Sequence, residues 1–415
     1  MSTRLLLVAA VVSAQCASAR ATLQPEAAPP APVGRVVLVG DAGLRIGEIA
    51  DDLNPKAPEG ACHALVADVA AASTAVAAAR TRVPILAPLT QAVAEGQRSV
   101  VVWLGDNVYD RGIAAGLGVD DFWSDDGHLK PGARENPEYP SFAALHVQVS
   151  VSRGAERALF VPGNHDWDSR ITQAADGPRR VAAQAAAIRE LACRVGLRTS
   201  ASDIQLVPRN GCAGPHAEDF DFQGVHLRIV AFDSEGVLQA MAGRRGPGCL
   251  PEDAFFHELR RQVEAAPGLV LVAAHHPLTT YGPHGGYNGR GPLAWAQSAL
   301  RWVFRSNQDL SGPHNQRMVR KLRAALAPGA SRIVAYASGH EHALQVIRRG
   351  PDGFWELGAG SASKSSPVRR GRWSRYASST NGFMYVDLYA GGGAVLSVVE
   401  AQGSQAPRVV SARLR

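Results

Sequence analysis

Short apolar runs that end abruptly in polar residues recur along the chain and predict buried strands. They lie at residues 35–39, 100–104, 157–161, 269–274 and 332–337. Continuous apolar runs of this length are typical of strands that are buried on both faces of a sheet. Residues 226–232 alternate between apolar and polar positions, which predicts a further strand.

Stretches with apolar residues at helical spacing lie between these strands and predict helices. They cover residues 62–80, 178–195, 254–264 and 318–326. The C-terminal part instead predicts a set of antiparallel strands, and residues 111–151 predict an insertion with short elements of its own. Strands that alternate with helices, followed by a strand-rich tail, indicate an α/β core with mixed sheets. The predicted antiparallel strands lie at residues 355–357, 383–388 and 394–399.

The N-terminal residues predict export. Residues 1–19 combine one positive side chain, a short apolar run and the small residues Ala17 to Ala19, which is typical of a signal peptide cleaved after Ala19. We therefore expect a periplasmic or secreted protein. A lipoprotein attached through Cys16 is the less favoured alternative, because Gln15 is bulky where a small residue is expected.

The remaining chain divides into a linker and one domain. Residues 20–33 are rich in Ala and Pro and predict an extended linker, and residues 34–415 predict a single catalytic domain. No apolar run after the signal peptide is long enough to cross a membrane as a helix. Cleavage would leave four cysteines, which predict one or two disulfides in an oxidising compartment; three connectivities are open if all four pair, and unpaired buried thiols are the alternative. The four are Cys62, Cys193, Cys212 and Cys249.

Composition and charge narrow the class of protein. With 46% hydrophobic and 19% charged residues, the chain of 415 residues is typical of a globular protein with a sizeable core. The net charge of +6 is spread along the chain instead of forming a dense basic face. This pattern favours small anionic substrates and argues against nucleic acid as a partner. The sequence indicates no oligomeric state.

Five of the predicted strands end in residues that can bind metal ions. The carboxyl ends of strands are where α/β proteins form their sites, so we expect these side chains to meet. A mixture of carboxylate, phenolate and imidazole groups suits iron, manganese or zinc, whereas it does not suit a thiolate site or an all-oxygen calcium site. The residues are Asp41, then Asp106 with Tyr109, Asn164 with His165, His275, and His340 with His342.

The order of these strand ends resembles the calcineurin-like metallophosphoesterases, over roughly residues 35–388. The blocks that carry the resemblance are GDAG, GDNVYD, GNHD, HH and GHEH, which begin at positions 40, 105, 163, 275 and 339. Gly43 stands where most members have a histidine, and Tyr109 offers a replacement ligand. This exchange is similar to the purple acid phosphatase branch. His284, nine positions after His275, matches a further histidine of that branch.

The resemblance implies a fold, a metal centre and a reaction. The fold is an α/β, four-layer α/β/β/α sandwich of two mixed β-sheets flanked by helices. Two metal ions would share Asp106, with Fe(III) in the first site and divalent Fe, Zn or Mn in the second. A metal-bound hydroxide would attack a phosphate monoester, assisted by His165 and His284 as proton donors or charge stabilisers. Asp41, Tyr109 and His342 would complete the first site, and Asn164, His275 and His340 the second.

Two alternative functions remain open. A phosphodiesterase acting on nucleotides or lipid head groups would use the same pair of metals, and a non-catalytic binding protein could share the scaffold. The second alternative is less favoured because no ligand is lost and His165 is present. The expected substrate is a phosphorylated small molecule, and residues 111–156 and 281–320, which would shape its pocket, do not indicate which one.

Several neighbouring residues have less specific interpretations. His276 is expected to support the site without binding metal, and Asp233 to cap a turn. Trp302 and Phe304 are expected in the core. Asp110, Asp166 and Asp168 are expected to form turns or accept hydrogen bonds near the site.

Overall fold

The computed structural model describes residues 31–43, 85–94, 98–109, 111–124, 129–168, 176–194, 203–244, 246, 248–289, 291, 309–350, 353–403 and 405–415. The predicted signal peptide, most of the predicted linker and the predicted helix at residues 62–80 lie outside the described residues. Asp110, Trp302 and Phe304 also lie outside them.

Two seven-stranded mixed sheets form the centre of the fold. The first has the strand order β14-β13-β12-β1-β2-β3-β4, and the second has the order β11-β9-β10-β8-β7-β6-β5. The strands of the first sheet are β1 (Gly34–Val39), β2 (Ser99–Leu104), β3 (Arg157–Val161), β4 (Ile204–Leu206), β12 (Gly382–Tyr389), β13 (Gly393–Gln402) and β14 (Gln405–Arg413). Those of the second are β5 (His216–Phe222), β6 (Val225–Ala231), β7 (Leu269–Ala273), β8 (Ile333–Ser338), β9 (Leu344–Arg348), β10 (Trp355–Ala359) and β11 (Ser374–Ser378).

Helices cover the outer face of each sheet. Among the described residues, α1, α2 and α3 pack on the first sheet, and α4, α5 and α6 pack on the second. The two sheets pack face to face through a third apolar cluster, which includes Val36 and Leu38 of β1 and Leu271 of β7. The helices are α1 (Leu86–Ala94), α2 (Tyr139–Ser152), α3 (Asp176–Arg194), α4 (Ser234–Met241), α5 (Glu252–Glu264) and α6 (Pro313–Leu326).

The continuous apolar runs follow from this layering. Alternate residues of a strand point to opposite faces, and in β1 Val36 and Leu38 face the second sheet while Val37 and Val39 face the helices. Both faces exclude water, so no polar alternation is needed. The predicted α/β, four-layer α/β/β/α sandwich is confirmed.

Several details differ from the sequence-based expectation. The strand at Trp355–Ala359 was expected to belong to one antiparallel set with the C-terminal strands. It lies in the second sheet instead, parallel to β8, whereas β12 and β13 pair antiparallel in the first sheet. That expectation was wrong because strand partners far apart in sequence are not encoded in local patterns. The strands β4, β5, β9, β11 and β14 and the helices α1, α2 and α4 were not predicted.

The topology brings the metal-competent strand ends to one end of the sandwich. Strands β1, β2 and β3 are parallel neighbours, and β7 and β8 are parallel neighbours in the second sheet. The turns after β1 and β8 approach closely, because a Cβ added at Gly40 would lie 2.9 Å from the Cα of Gly339. Only glycine backbone allows the two sheets to join so tightly at this point.

One of the predicted disulfides is present. Cys212 and Cys249 are bonded, with their Cα atoms 5.3 Å apart. Of the three connectivities that are possible when all four cysteines pair, only one contains this bond. None of the helices within the described residues combines the length and the hydrophobicity that crossing a bilayer requires.

A buried ion pair ties β1 to β12 and gives a stability prediction. Arg35 contacts both carboxylate oxygens of Asp387 at 2.6 and 3.1 Å, and its guanidinium lies 4.0 Å from the ring centre of Tyr385. The side chains of Arg35 and Asp387 are only 7% and 10% exposed. Asp387→Asn would leave a buried cation without its counter-charge, so we expect a loss of about 3 kcal/mol or more in the free energy of unfolding.

A matched pair on the surface serves as the control. Arg98 and Glu156 also bond, but their side chains are 47% and 37% exposed. Because water screens this pair, Glu156→Gln should lower the free energy of unfolding by less than about 1 kcal/mol. Urea denaturation of both variants measures the difference, and equal losses would contradict a structural role for the buried pair.

Candidate metal centre

The turns that follow the strands hold their side chains in an unusual backbone conformation. Asp41, Asp106 and His340 have positive φ angles of 58°, 51° and 66°. Residues other than glycine seldom adopt this left-handed region, and where they do, the surrounding structure must hold them there. The consequence here is that each strand folds back at its end and directs a metal-competent side chain into the same space.

One group of donor atoms surrounds the hydroxyl of Tyr109. The hydroxyl lies 3.1 Å from Asp41 Oδ1, 3.1 Å from Asp106 Oδ2 and 3.3 Å from His342 Nε2. His342 Nε2 lies 3.2 Å from Asp41 Oδ1. The ligand atoms of Asp41, Asp106 and His342 lie within 4.8 Å of one another and could hold a metal ion. We call these four residues the first cluster.

A second group of donor atoms lies on the other side of Asp106. Asn164 Oδ1 is 2.9 Å from His275 Nε2 and 2.9 Å from His340 Nδ1, and the two imidazole nitrogens are 3.2 Å apart. His275 Nε2 is 3.4 Å from Asp106 Oδ1. We call Asn164, His275 and His340 the second cluster. Asp106 thus presents one carboxylate oxygen to each cluster.

The hydrogen bonds around His275 suit metal binding. Its Nδ1 lies 2.8 Å from the carbonyl oxygen of Leu104, which can only accept a hydrogen bond. Nδ1 therefore carries the proton, and Nε2 presents its lone pair to the second cluster. Such a contact to a backbone carbonyl is how metal-binding histidines are commonly oriented. The donor set of these two clusters fits borderline transition metals.

The electrostatics of the first cluster also favour a cation. Burial and the adjacent carboxylates of Asp106 and Asp41 raise the pKa of Tyr109 well above its ordinary value. Burial alone would lower the pKa of His342, but the same two carboxylates outweigh burial and raise it. Asp106 is buried, which disfavours its charged form, yet His275 and His165 hold its pKa below the ordinary value. A phenolate at Tyr109 therefore requires a strong positive charge beside it, which a metal ion would supply.

Each of the two predicted catalytic histidines lies beside one cluster. The ring of His165 packs 4.3 Å from that of Tyr109, and its backbone N–H donates to Asp106 Oδ1 at 2.9 Å. The ring of His284 lies 4.1 Å from that of His340. Both side chains are half-buried. All nine predicted site residues are brought together.

The neighbouring acids have the supporting roles that were expected of them. Asp166 accepts hydrogen bonds from the backbone N–H groups of Gly163, Asn107 and Val108 at 2.6, 3.3 and 3.1 Å, which joins the turn after β2 to the turn after β3. Burial raises the pKa of Asp166 to about 8. Asp168 has a φ of 52° and lies 3.8 Å from a guanidinium nitrogen of Arg180.

Asp233 and His276 are both fully buried, and the ring of His276 packs 4.4 Å from that of His340. Asp233 begins α4 by accepting from the Gly236 N–H, and it also accepts from the indole of Trp167 at 2.6 Å. His276 is fully buried, and its Nδ1 lies 2.8 Å from the Ser234 hydroxyl. Asp233 thus caps a helix where the sequence predicted a turn, and His276 lies beside the predicted ligands, in the supporting position that was expected of it.

Two acidic residues that sequence reasoning missed hold His284 in place. Glu341 Oε2 accepts hydrogen bonds from the Thr280 hydroxyl at 2.9 Å and from the backbone N–H of His284 at 3.1 Å. Asp309 Oδ1 lies 3.2 Å from His284 Nδ1. Glu341 lies between His340 and His342 in the GHEH block, and this position could have marked it as a residue of the site. Nothing in the local sequence marked Asp309.

Comparison with known proteins gives only distant similarities. No protein-family model and no curated protein match the chain. Among solved structures, it is similar to GAP50, the anchor in the inner membrane complex of Plasmodium, at 14% identity and a TM-score of 0.48, covering 92% of this chain and 89% of that one. It is also similar to purple acid phosphatase PPD1 from yellow lupin (Lupinus luteus) seeds, at 12% identity and a TM-score of 0.46, covering 92% and 55%. PhoD matches at 9% identity and a TM-score of 0.46, covering 92% and 69%.

The chain thus spans little more than half the length of the lupin protein. Similarities of this size carry no conclusion about residues, ligands or activity.

The close contact between Gly163 and Asp106 gives a prediction about metal binding. A Cβ at Gly163 would lie 2.3 Å from Asp106 Oδ1 and 2.9 Å from His275 Cε1, so Gly163→Ala must displace the shared carboxylate. We expect metal affinity to fall by about tenfold or more. Elemental analysis after dialysis against defined metal concentrations measures this.

Gly118→Ala is the matched control. Its Cβ would lie 3.5 Å from Glu190 Oε2, an ordinary contact, and its φ of −123° suits any residue. This variant should bind metal like the wild type. Unchanged affinity in a folded Gly163→Ala protein would mean that the position of Asp106 does not govern metal binding.

Proposed function

We propose that this chain is an exported, metal-dependent phosphatase that hydrolyses phosphate monoesters at a centre of two metal ions. The position of Asp106 carries the proposal. Its two carboxylate oxygens contact two different groups of donors, at 3.1 Å from the Tyr109 hydroxyl and 3.4 Å from His275 Nε2. A carboxylate that is shared in this way suits a pair of adjacent cations.

The donor types suggest a different ion for each cluster. Asp41, Tyr109 and His342 combine a carboxylate, a phenol and an imidazole, which suits Fe(III). Asn164, His275 and His340 offer an amide oxygen and two imidazoles, which suits divalent iron, zinc or manganese. When bound, such a pair of ions supplies charge neutralisation for the phosphate oxygens and lowers the pKa of a water molecule for attack on phosphorus.

His165 and His284 are placed to assist the departure of the alcohol. Each imidazole lies beside one cluster, His165 against Tyr109 and His284 against His340. Because the Asp309 carboxylate contacts Nδ1 of His284, the proton for the leaving oxygen would come from Nε2 of the doubly protonated imidazolium. Glu341 fixes the backbone of the same residue, so the imidazole is preorganised before a substrate arrives.

The proposed location follows from two features. The Cys212–Cys249 disulfide is typical of proteins in an oxidising compartment, and the N-terminal residues have the pattern of a signal peptide. Together they support the periplasm or the exterior of the cell.

Removing the shared charge tests the proposed centre. In Asp106→Asn, each cluster loses an anionic ligand, so we expect metal binding and hydrolysis of 4-nitrophenyl phosphate to fall by about 100-fold or more. Asp253→Asn is the matched control, since its side chain is 93% exposed and its ion pair with Lys321 lies on the surface. Elemental analysis and steady-state kinetics measure both effects. Retention of activity and metal by Asp106→Asn would overturn the assignment.

The same assay separates monoesters from diesters. We expect kcat/KM to be higher for 4-nitrophenyl phosphate than for bis(4-nitrophenyl) phosphate. A preference for the diester would show a phosphodiesterase, and turnover of neither ester by the metal-loaded protein would favour a binding protein.

A further inference from the structure

A basic segment of the chain borders the proposed metal centre. Residues 360–373, which we call the basic loop, connect β10 to β11. The loop begins against Asp41, since a Cβ at Gly360 would lie 2.5 Å from Asp41 Oδ2, and the Ser363 hydroxyl donates to the Asp41 carbonyl oxygen. Further along, the N–H of Ser366 donates to the carbonyl oxygen of His342 at 2.6 Å. Lys364 therefore lies between Ser363 and Ser366, which both donate hydrogen bonds to residues of the first cluster.

The same loop continues towards the segment that carries His284. The backbone N–H of Arg369 donates to the carbonyl oxygen of Tyr281 at 3.2 Å, and that of Trp373 donates to the Tyr281 hydroxyl at 3.2 Å. The guanidinium of Arg369 lies 5.4 Å from the ring centre of Tyr287, three positions after His284. The basic loop thus borders the site from the first cluster to the side of His284.

The loop carries four basic side chains and no acidic one. It contains Lys364, Arg369, Arg370 and Arg372, and the sequence has no acidic residue between Glu356 and Asp387. Lys364 and Arg369 are exposed, and neither forms an ion pair with a carboxylate of the described residues.

We propose that the site selects phosphorylated substrates that carry a second anionic group, which Lys364 and Arg369 bind. This inference rests on the proposed phosphatase function and adds the class of substrate. The metal ligands already provide for the charge of the phosphate that reacts. Unpaired cations outside the two clusters would attract a separate anionic group of the same molecule, such as a carboxylate or a second phosphate.

Two esters that differ in one charge test the proposal. Glycerol 2-phosphate and 2-phosphoglycerate have the same ester position, but one hydroxymethyl group of the first is a carboxylate in the second. We expect the wild type to have the higher kcat/KM for 2-phosphoglycerate. The ratio of the two kcat/KM values should fall about threefold in Lys364→Gln and in Arg369→Gln, and about tenfold in the double variant, as expected for partly exposed charge pairs.

Arg349→Gln is the matched control for the loss of charge. Arg349 is exposed and follows the end of β9 that is remote from His342. Its substitution removes the same charge and should leave the ratio unchanged. The ratio should also approach unity at high salt, because the contacts are exposed to solvent. A wild-type ratio near unity, or equal falls in the control and in the loop variants, would overturn the proposal.

Failure of the proposed function can be told apart from failure of this inference. If the metal-loaded protein hydrolyses neither ester, the phosphatase function fails, and calorimetric titration with the same two esters replaces the kinetics. Tighter binding of 2-phosphoglycerate that is lost in the double variant would still support the basic loop as an anion site. Equal binding of the two esters by the wild type would reject it.

Discussion

The position of one buried carboxylate determines the rest of the site. Asp106 is only 2% exposed, and its two oxygens reach two different groups of donors. A charge so deeply buried is unfavourable unless opposite charges or hydrogen bonds compensate it. The backbone N–H of His165 donates to one oxygen, and the surrounding imidazoles offer further compensation. A pair of cations, one beside each carboxylate oxygen, would complete it.

The two-sheet architecture explains how these groups come together. Asp41, Asp106 and Asn164 follow strands of the first sheet, whereas His275 and His340 follow strands of the second. The site therefore exists only where the two sheets meet, and glycines allow the close approach there. A Cβ at Gly105 would lie 2.6 Å from His275 Nδ1, and one at Gly339 would lie 2.7 Å from Asp41 Oδ2. The close packing of the two sheets therefore also determines the geometry of the site.

The sequence predicted the central part of this structure and missed much of its edges. Strands such as Ser99–Leu104 were recognisable because burial on both faces demands an unbroken apolar run. Edge strands such as Ile204–Leu206 and His216–Phe222 are short or rich in polar residues, and so lack that pattern. The sheet to which Trp355–Ala359 belongs depends on pairing with β8 and β9, which no local pattern records. Most site residues were identifiable because they follow recognisable strands, and His284 was found by its spacing from His275. Asp309, in contrast, meets His284 only through the folded chain.

The most direct test of a metal centre that includes Tyr109 is an absorption spectrum of the purified, metal-replete protein, together with its iron, zinc and manganese content. A tyrosine phenolate bound to ferric iron should give a broad charge-transfer band in the visible region, with at least one iron per chain. We expect this band to disappear in Tyr109→Phe. A colourless, active protein that contains only zinc or manganese would contradict the assignment of ferric iron at Tyr109. A protein that binds no metal at all would contradict the proposed centre itself.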